Sequence, residues 1–292
     1  MPSTRDIRRR IKSVKNTSQI TKAMQMVAAS KMRKAQEVAT AGHPYARVLN
    51  RVLVRLSERV DSSCHSLLAK REVHKELVLL LSTDKGLCGA LNTNLFREVI
   101  TFDAGKTQFV SLGKKGTQFL SRMKRNLIAE FPLSEKPSFL QTKTVSKFLI
   151  EKFLSKEVDK VSVLFPRFVN TLTQQPLKMT LLPLSGYHLE GKNLMEDKEE
   201  DVALNDGSLF IFEPSPDEVL DAILPYYIHF DVFQMVLDTR ASEHSARMVA
   251  MKNATDNAKQ LVKDLTLEYN KARQANITTE LLEIATAQIA VE

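Results

Sequence analysis

Apolar and small side chains recur in alternating steps of three and four near the C-terminal end, at Ala241, His244, Met248, Met251, Thr255, Ala258, Val262, Leu265, Tyr269 and Ala272. That is the spacing of a coiled-coil seam. The run carrying it, from Pro225 to Glu292, has 67 residues without Gly or Pro. At a helical rise of about 1.5 Å per residue it could reach roughly 100 Å, too long to wrap one globular core, so a projecting rod is expected. Another 39 residues free of Gly and Pro lie between Pro2 and Gly42. There Ile7, Ile11 and Val14 open a stripe that Ile20, Met24 and Val27, then Ala28, Ala35 and Ala39, are expected to continue. Small Ala positions opposite Met and Leu allow close approach, which favours an antiparallel intrachain coiled coil of the two ends over two homodimer seams. Gly42, His43 and Pro44 predict a kink or short break, because Pro44 has no N–H for the Thr40 carbonyl. The stripe then resumes at Val48, Leu49, Val52, Leu53, Leu56 and Val60.

The middle of the chain has a different period. Glu76–Ser82, Gln108–Leu112, Asn126–Phe131 and Val161–Phe165 read as strands, with a further β segment at Pro176–Leu184 and a last strand at Leu209–Phe212. Asn92–Thr101, Lys115–Lys124 and Thr142–Leu154 read as helices between them. This alternation predicts a mostly parallel sheet with helices on its faces. Gly186 to Gly207 reads as a solvated loop, and Ser215, Pro216, Asp217 and Glu218 as a capping box opening the final helix, which Pro225 should bend. The expected organisation is a helix over 1–60, an α/β domain over 73–213 and a C-terminal helix over 214–292. The fold class is therefore α/β plus a long antiparallel α-helical coiled coil.

Charge adds one asymmetry. Residues 1–41 hold ten Lys or Arg against Asp6 and Glu37, which accounts for a surplus equal to the whole net charge of +8. A helix this basic suits nucleic acid, an anionic membrane or an acidic protein surface, or a merely solvated face. No apolar run approaches the 20 or so residues a bilayer span needs. Cys64 and Cys88 lack metal-ligand spacing and cannot form a multi-bridge framework, which points to a reducing compartment.

Candidate chemistry is sparse. Ser82 to Gly89 follows a strand and precedes a helix, where a phosphate loop would sit, but the P-loop spacing is absent there and at Gly113–Thr117. Gly86 and Gly89 are expected to permit a tight turn, and Cys88 to be a buried structural thiol. The six histidines show no metal-binding helical pair. No cofactor, metal or catalytic constellation is predicted.

Four blocks carry a resemblance. They are Asp6-Ile7-Arg8 with Ile20 to Met32; Asp84 to Gly89; Ala241-Ser242-Glu243 with Arg247 to Asn257; and Tyr269 to Ala275 with Ile277, Thr278 and Glu280. In this order they resemble the gamma subunit of F-type ATP synthase. The resemblance implies a coiled coil of the two ends with a Rossmann-like domain at its foot. It also implies a non-catalytic rotor shaft inside a ring of three alpha and three beta subunits, its foot on the c-subunit ring beside epsilon. Such a shaft couples ion flow through that ring to ATP synthesis, or runs in reverse.

The same resemblance assigns contacts. Lys22, Met24 and Lys31 would face an acidic loop of beta, with Glu243 and Arg247 in the facing C-terminal block; otherwise Met24 is core and the last two are intrahelical surface charges. Arg273, Gln274, Thr278 and Glu280 would hydrogen-bond the ring, and the apolar tail of Ile277, Leu281, Leu282, Ile284 and Ile289 would sit in an apolar sleeve. Phe210, Phe212 and Glu213 would meet epsilon and the c ring. The family often carries Tyr at the two Phe positions, so packing rather than hydroxyl contacts is expected there. The cysteine-pair insertion of the chloroplast form has no counterpart. Entry into the motif by Asp6 leaves no room for a transit sequence, so a peripheral location on the cytoplasmic face of a bacterial inner membrane is expected. The rivals are a basic coiled coil that binds nucleic acid, with steep salt dependence, and a small-molecule enzyme at the Gly86–Gly89 turn.

Overall fold

A computed structural model describes residues 3–57, 65–69, 71–184 and 212–289. Helix α1 spans Thr4–Ser57 and is followed by β1 (Glu76–Leu81), α2 (Leu91–Thr101), β2 (Thr107–Leu112), α3 (Lys114–Arg122), β3 (Asn126–Phe131), α4 (Phe139–Leu154), β4 (Lys160–Phe168), β5 (Gln174–Leu182) and α5 (Pro216–Ile289). The chain divides into two compact units. One comprises residues 1–29 with 247–292, and the other residues 30–246.

The first unit is a helix pair built on the heptad period. Every predicted C-terminal seam position within it, from Met248 to Ala272, is buried or half-buried, while most of their neighbours are exposed. The α1 side departs from expectation. Ile7 and Ala28 are buried, but Ile20 and Val27 are 60% and 54% exposed, so they lie off the seam. The seam runs instead through Ile11, Val14, Ser18 and Thr21, because a strict three-four alternation from Ile7 reaches Thr21 rather than Ile20. Polar side chains hold this stretch. The Thr21 and Thr255 hydroxyls meet at 2.7 Å in the buried seam, and Arg8 donates to the Tyr269 hydroxyl at 2.5 Å with its guanidinium over the ring. Thirteen residues up α1 correspond to fourteen down α5, so the pairing is antiparallel. A Thr21→Val, Thr255→Val double variant is expected to lose less stability than the two single changes summed, by about 1 kcal/mol, because each single change strands the other hydroxyl from its partner. A double-mutant cycle of thermal unfolding checks this; strict additivity would refute the coupling.

The second unit is a five-stranded sheet in the order β3-β2-β1-β4-β5. β1 pairs in parallel with β2 and β4, β2 in parallel with β3, and β5 closes the edge antiparallel to β4. The expected strands and their order are thus present up to Leu182. The last expected strand and the Gly186–Gly207 loop fall outside the described residues, save Phe212, which is not in a strand. One sheet face packs on α2 and α3 through Val78, Leu80, Leu95, Val99, Phe109 and Leu120. The other, with Leu77, Leu79, Leu81, Val110 and Val163, joins α4, the last turns of α1 and the first half of α5 in the main core.

Neither the kink or short break expected at Gly42–Pro44 nor the bend expected at Pro225 ends its helix. α1 is one 54-residue helix through Gly42 and Pro44, and α5 one 74-residue helix through Pro225. A mid-helix proline costs about 3 kcal/mol, which burial of Leu49, Leu53 and Leu56 on one side and Leu224 and Ile228 on the other offsets at about 1.5–3 kcal/mol per side chain. Gly42 serves as a close approach. A Cβ there would lie 2.0 Å from Gln234 Nε2. At the start of α5 the Glu218 amide donates to Ser215 Oγ at 3.3 Å with Pro216 first in the helix, as the capping motif predicts. A full capping box also opens α4, where Ser138 and Gln141 bond reciprocally, so that helix begins three residues before the expected Thr142.

Candidate functional site

The carboxyl ends of β1, β2 and β3 meet α1 and α5 in an ionic junction. Arg240 is 5% exposed; its guanidinium donates to the Leu133 carbonyl at 2.6 Å, to the Ser134 carbonyl at 2.5 and 3.0 Å, and to Glu243 Oε2 at 2.5 Å. Asp84, in the turn after β1, stands 3.5 Å from the same guanidinium and accepts the Lys114 amide that opens α3 at 3.1 Å. Next to this cluster Lys31 pairs with Glu135, whose carboxyl is held below its ordinary range first by the Lys31 hydrogen bond and then more weakly by Lys85 and His244. Ser242 donates to the Pro166 carbonyl, which ties the same stretch of α5 to the end of β4.

The Ser82–Gly89 turn belongs to this junction. Gly89 has φ 59°, as a tight turn requires, but Gly86 does not use its freedom: the left-handed position beside it is Leu87, with φ 62°. Cys88 is buried against Leu91 and Ala246, in keeping with a structural thiol, and accepts from Asn92 Nδ2 at 3.4 Å. Ser82 Oγ donates to the Gly113 carbonyl at 3.0 Å and accepts the Gly116 amide at 2.8 Å, so Gly113-x-x-Gly116 lets strand and helix close on one hydroxyl. Among the described residues no His, Cys, Asp and Glu group is placed to hold a metal ion.

Asp238, one turn before Ser242, is pushed up to about 6, mainly by burial, against the opposing pull of Arg167 and the Phe168 amide. A raised carboxyl binds protons better folded than unfolded, so its contribution to stability is greatest below the unfolded value near 3.8 and falls as pH rises toward 6. Asp238→Asn is expected to remove a pH-dependent loss of about 1–3 kcal/mol between pH 4 and 6, as read by urea unfolding across that range. An unchanged profile would refute it.

The residues assigned by resemblance fall into three groups. Lys22 is exposed and Met24 half-buried on α1 of the first unit, where Arg247 is also half-buried. In the second unit Lys31 is already paired with Glu135, and Glu243 is 2% exposed beneath Arg240, so the reading of Glu243 as a surface charge is corrected. Its burial follows from the guanidinium, which compensates a carboxylate inside the core. Arg273, Gln274, Thr278 and Glu280 share two exposed turns near the end of α5, with Thr278 Oγ1 donating to the Gln274 carbonyl. Ile277, Leu281, Leu282 and Ile284 on those turns are 48–65% exposed. Phe212 packs half-buried on the main core, Glu213 is exposed, and Phe210 lies outside the described residues.

Arg240 and Glu135 escaped the sequence reading. The available signal was Arg240 between Asp238 and Glu243 in the stretch Val236 to Ala246, where small and apolar residues alternate with these charges and a buried arginine needs a carboxylate nearby.

A seam made from the chain's two ends, together with a parallel-dominated α/β sheet, defines a coiled-coil α/β protein. The family model described as ATP synthase matches residues 3–291. The ATP synthase gamma chain of Opitutus terrae is 51% identical over 292 residues and covers 99% of each chain, and that of Methylacidiphilum infernorum is 49% identical over 296 residues and covers 100% of each. Among solved structures, a chain of the Euglena gracilis mitochondrial ATP synthase (OSCP, F1 and c-ring, rotational state 3) has a TM-score of 0.67 at 23% identity, covering 99% of this chain and 94% of its own. A chain of the Tetrahymena thermophila central stalk and c-ring has a TM-score of 0.61 at 23% identity, covering 80% and 99%. The chain belongs to the ATP synthase family, among its gamma chains.

Proposed function

We propose that this chain is the rotating central shaft of an F-type ATP synthase, itself non-catalytic, which couples ion flow through a membrane ring of c subunits to sequential conformational change in three catalytic beta subunits. The observation that carries this reading is the last part of α5. Ile277, Leu281, Leu282 and Ile284 expose aliphatic surface on a helix end that continues past the last half-buried seam position, Ala272. Such a surface suits an apolar sleeve, here the top of a ring of three alpha and three beta subunits. Beside it Arg273, Gln274, Thr278 and Glu280 supply the polar contacts, while Lys22, Met24, Lys31 and Arg247 face beta lower down. Glu243 acts from within by holding Arg240. Phe210, Phe212 and Glu213 meet epsilon and the c ring.

The mechanism follows from asymmetry. A two-helix shaft presents a different face to each beta subunit, so each is biased toward a different conformation and nucleotide affinity becomes a function of angle. No phosphate loop is needed on the shaft. Among the described residues no helix is long and apolar enough to cross a membrane, and the proposed location is peripheral, on the cytoplasmic face of a bacterial membrane, through the complex.

Reconstitution with cognate alpha and beta subunits tests the proposal. Sustained, cooperative ATP hydrolysis is expected to require one copy of this chain per ring. Truncating Arg273, Gln274 and Thr278 together to Ala is expected to weaken it roughly tenfold, at about 1 kcal/mol or less per contact. Hydrolysis indifferent to the chain, with steeply salt-dependent nucleic-acid binding in its place, would favour the basic-helix reading.

A further inference from the structure

The sheet unit has an edge that neither the junction nor the core uses. At the amino ends of the parallel strands, where α2, α3 and α4 terminate, stand Lys75, Lys106, Arg122, Lys124 and Lys156, all exposed. None of these side chains forms an ion pair or hydrogen bond among the described residues; Lys75 adds only a weak long-range pull on Glu157. Local explanations are already satisfied by other groups. Arg71 donates to the Phe153 carbonyl at the end of α4, and Arg125 to the Ile100 and Phe102 carbonyls at the end of α2. The acids nearby have internal partners: Asp159 accepts the His74 and Lys75 amides, Glu76 accepts from Ser162 and Lys178, and Glu157 from Lys152. Five cations without an internal ion pair therefore stand on this edge, against two exposed carboxylates, Glu72, which lies 3.9 Å from His74, and Asp103, which accepts the Gly105 amide.

Aliphatic side chains stand among them. Val73, Ile100, Met123 and Leu154 are 51%, 53%, 46% and 43% exposed on the same edge. Lysine outnumbers arginine, whereas protein interfaces are depleted in lysine. Single-stranded nucleic acid calls for aromatic platforms, and the exposed apolar residues here are aliphatic or thioether. An anionic lipid surface uses both features, ammonium groups on headgroup phosphates and short aliphatic side chains in the interface.

The orientation agrees. The opposite, carboxyl edge of the sheet is held to the 240–243 stretch of α5 through Asp84 and Pro166. The beginning of α5 lies toward the amino edge: Asp221 pairs with His65, and nearby Leu67 accepts the Leu184 amide just beyond Leu182, the partner of Val161 at the start of β4. On the proposed function, the start of α5 with Phe212 and Glu213 points at the membrane ring. The direction of the edge rests on that reading.

We propose that this amino edge of the sheet, through Lys75, Lys106, Arg122, Lys124 and Lys156 with the aliphatic residues between them, docks on the anionic headgroups of a phospholipid bilayer. Long flexible lysines on mobile lipids hold without fixing an angle, which a rotating foot requires.

The full chain is mixed with vesicles of phosphatidylcholine, with and without phosphatidylglycerol, and sedimented. Binding is expected only with the anionic lipid and should fall as salt rises. The variant K75E/K106E/K124E/K156E is expected to lower vesicle affinity about tenfold or more while keeping its unfolding transition, since none of the four side chains has an internal ion-pair partner. V73S/M123S should weaken binding with the salt slope unchanged. Changing Arg8, Arg9 and Arg10 to Gln controls for the basic first helix and should leave most binding intact. The proposal is overturned if the quadruple variant binds like the parent, if binding follows Arg8–Arg10 instead, or if neutral vesicles bind equally. It is also overturned if the edge lysines prove to bind nucleic acid and not lipid. The assay uses no alpha or beta subunit, so its failure is separate from failure of the shaft reading.

Discussion

Arg240→Met is expected to cost about 3–5 kcal/mol of unfolding free energy, because it strips the guanidinium from a carboxylate that stays in the core. Glu243 is 2% exposed, and the Leu133 and Ser134 carbonyls lose their charged donor in the same step. Arg240→Lys is expected to recover only part of the loss, since an ammonium cannot span two carbonyls and a carboxylate in the plane of a guanidinium. The informative companion is Arg240→Met with Glu243→Leu. Removing both charges leaves apolar groups of similar volume and is expected to restore most of the stability, as buried ion pairs commonly allow. Urea unfolding followed by far-UV circular dichroism reads all three. A single-variant loss below 1 kcal/mol would show that the junction is not needed to hold α5 on the sheet. In the reconstituted ring, the double variant should fold yet transmit rotation less stiffly, because a directional clamp has been replaced by non-directional packing.

Gly113→Ala should destabilise the sheet unit by about 3 kcal/mol or more. Its φ of 110° is strained for any L side chain, and an added Cβ would stand 2.3 Å from the Ser82 backbone oxygen, which cannot move without displacing β1. Gly116→Ala meets the Ser82 and Ser111 hydroxyls at 2.7 and 2.8 Å, side chains that can rotate at the cost of their hydrogen bonds, and its loss should be smaller. Gly86→Ala is the control: nothing lies within 4 Å of its added carbon, so the change should stay within about 0.5 kcal/mol. Thermal unfolding of the three variants side by side checks the order. If Gly86→Ala were the most damaging, the assignment of Gly113 and Ser82 as the tight crossing would be wrong.

The strands β1 to β4 were legible because runs such as Leu77 to Leu81 are buried on both faces and therefore apolar throughout. The C-terminal seam was legible because a three-four alternation survives any tertiary context. On α1 the same reading failed at Ile20 and Val27, whose hydrophobicity outweighed the polar Thr21 that occupies the seam. Hydrophobicity alone cannot reveal a hydroxyl that is buried because another hydroxyl lies opposite. At Gly42 and Pro44 local propensity predicts a kink or a short break, and the helix does not break because the apolar residues that follow gain more by continuing it into the core.

The candidate contact surface divides in the same way. Arg273, Gln274, Thr278 and Glu280 came from motif resemblance, and the exposed turns they share are a property of any helix end without an internal partner. Glu243 is buried rather than a surface charge, because a charged residue on a helix reads as solvated until its partner is known. Arg240 reaches 156 residues back to Asp84 and more than 100 back to Ser134.

By itself the sequence determined the elements, the period of the seam, the alternation that makes the sheet parallel and the family, since each is written in local spacing or in short ordered motifs. Only the tertiary structure decided which face of α1 enters the seam, that Lys31, Asp84, Glu135, Arg240 and Glu243 converge, and that five unpaired cations share one edge of the sheet. Electrostatic and steric contacts fall off over a few ångströms in space, and the chain separations they bridge leave no period to read.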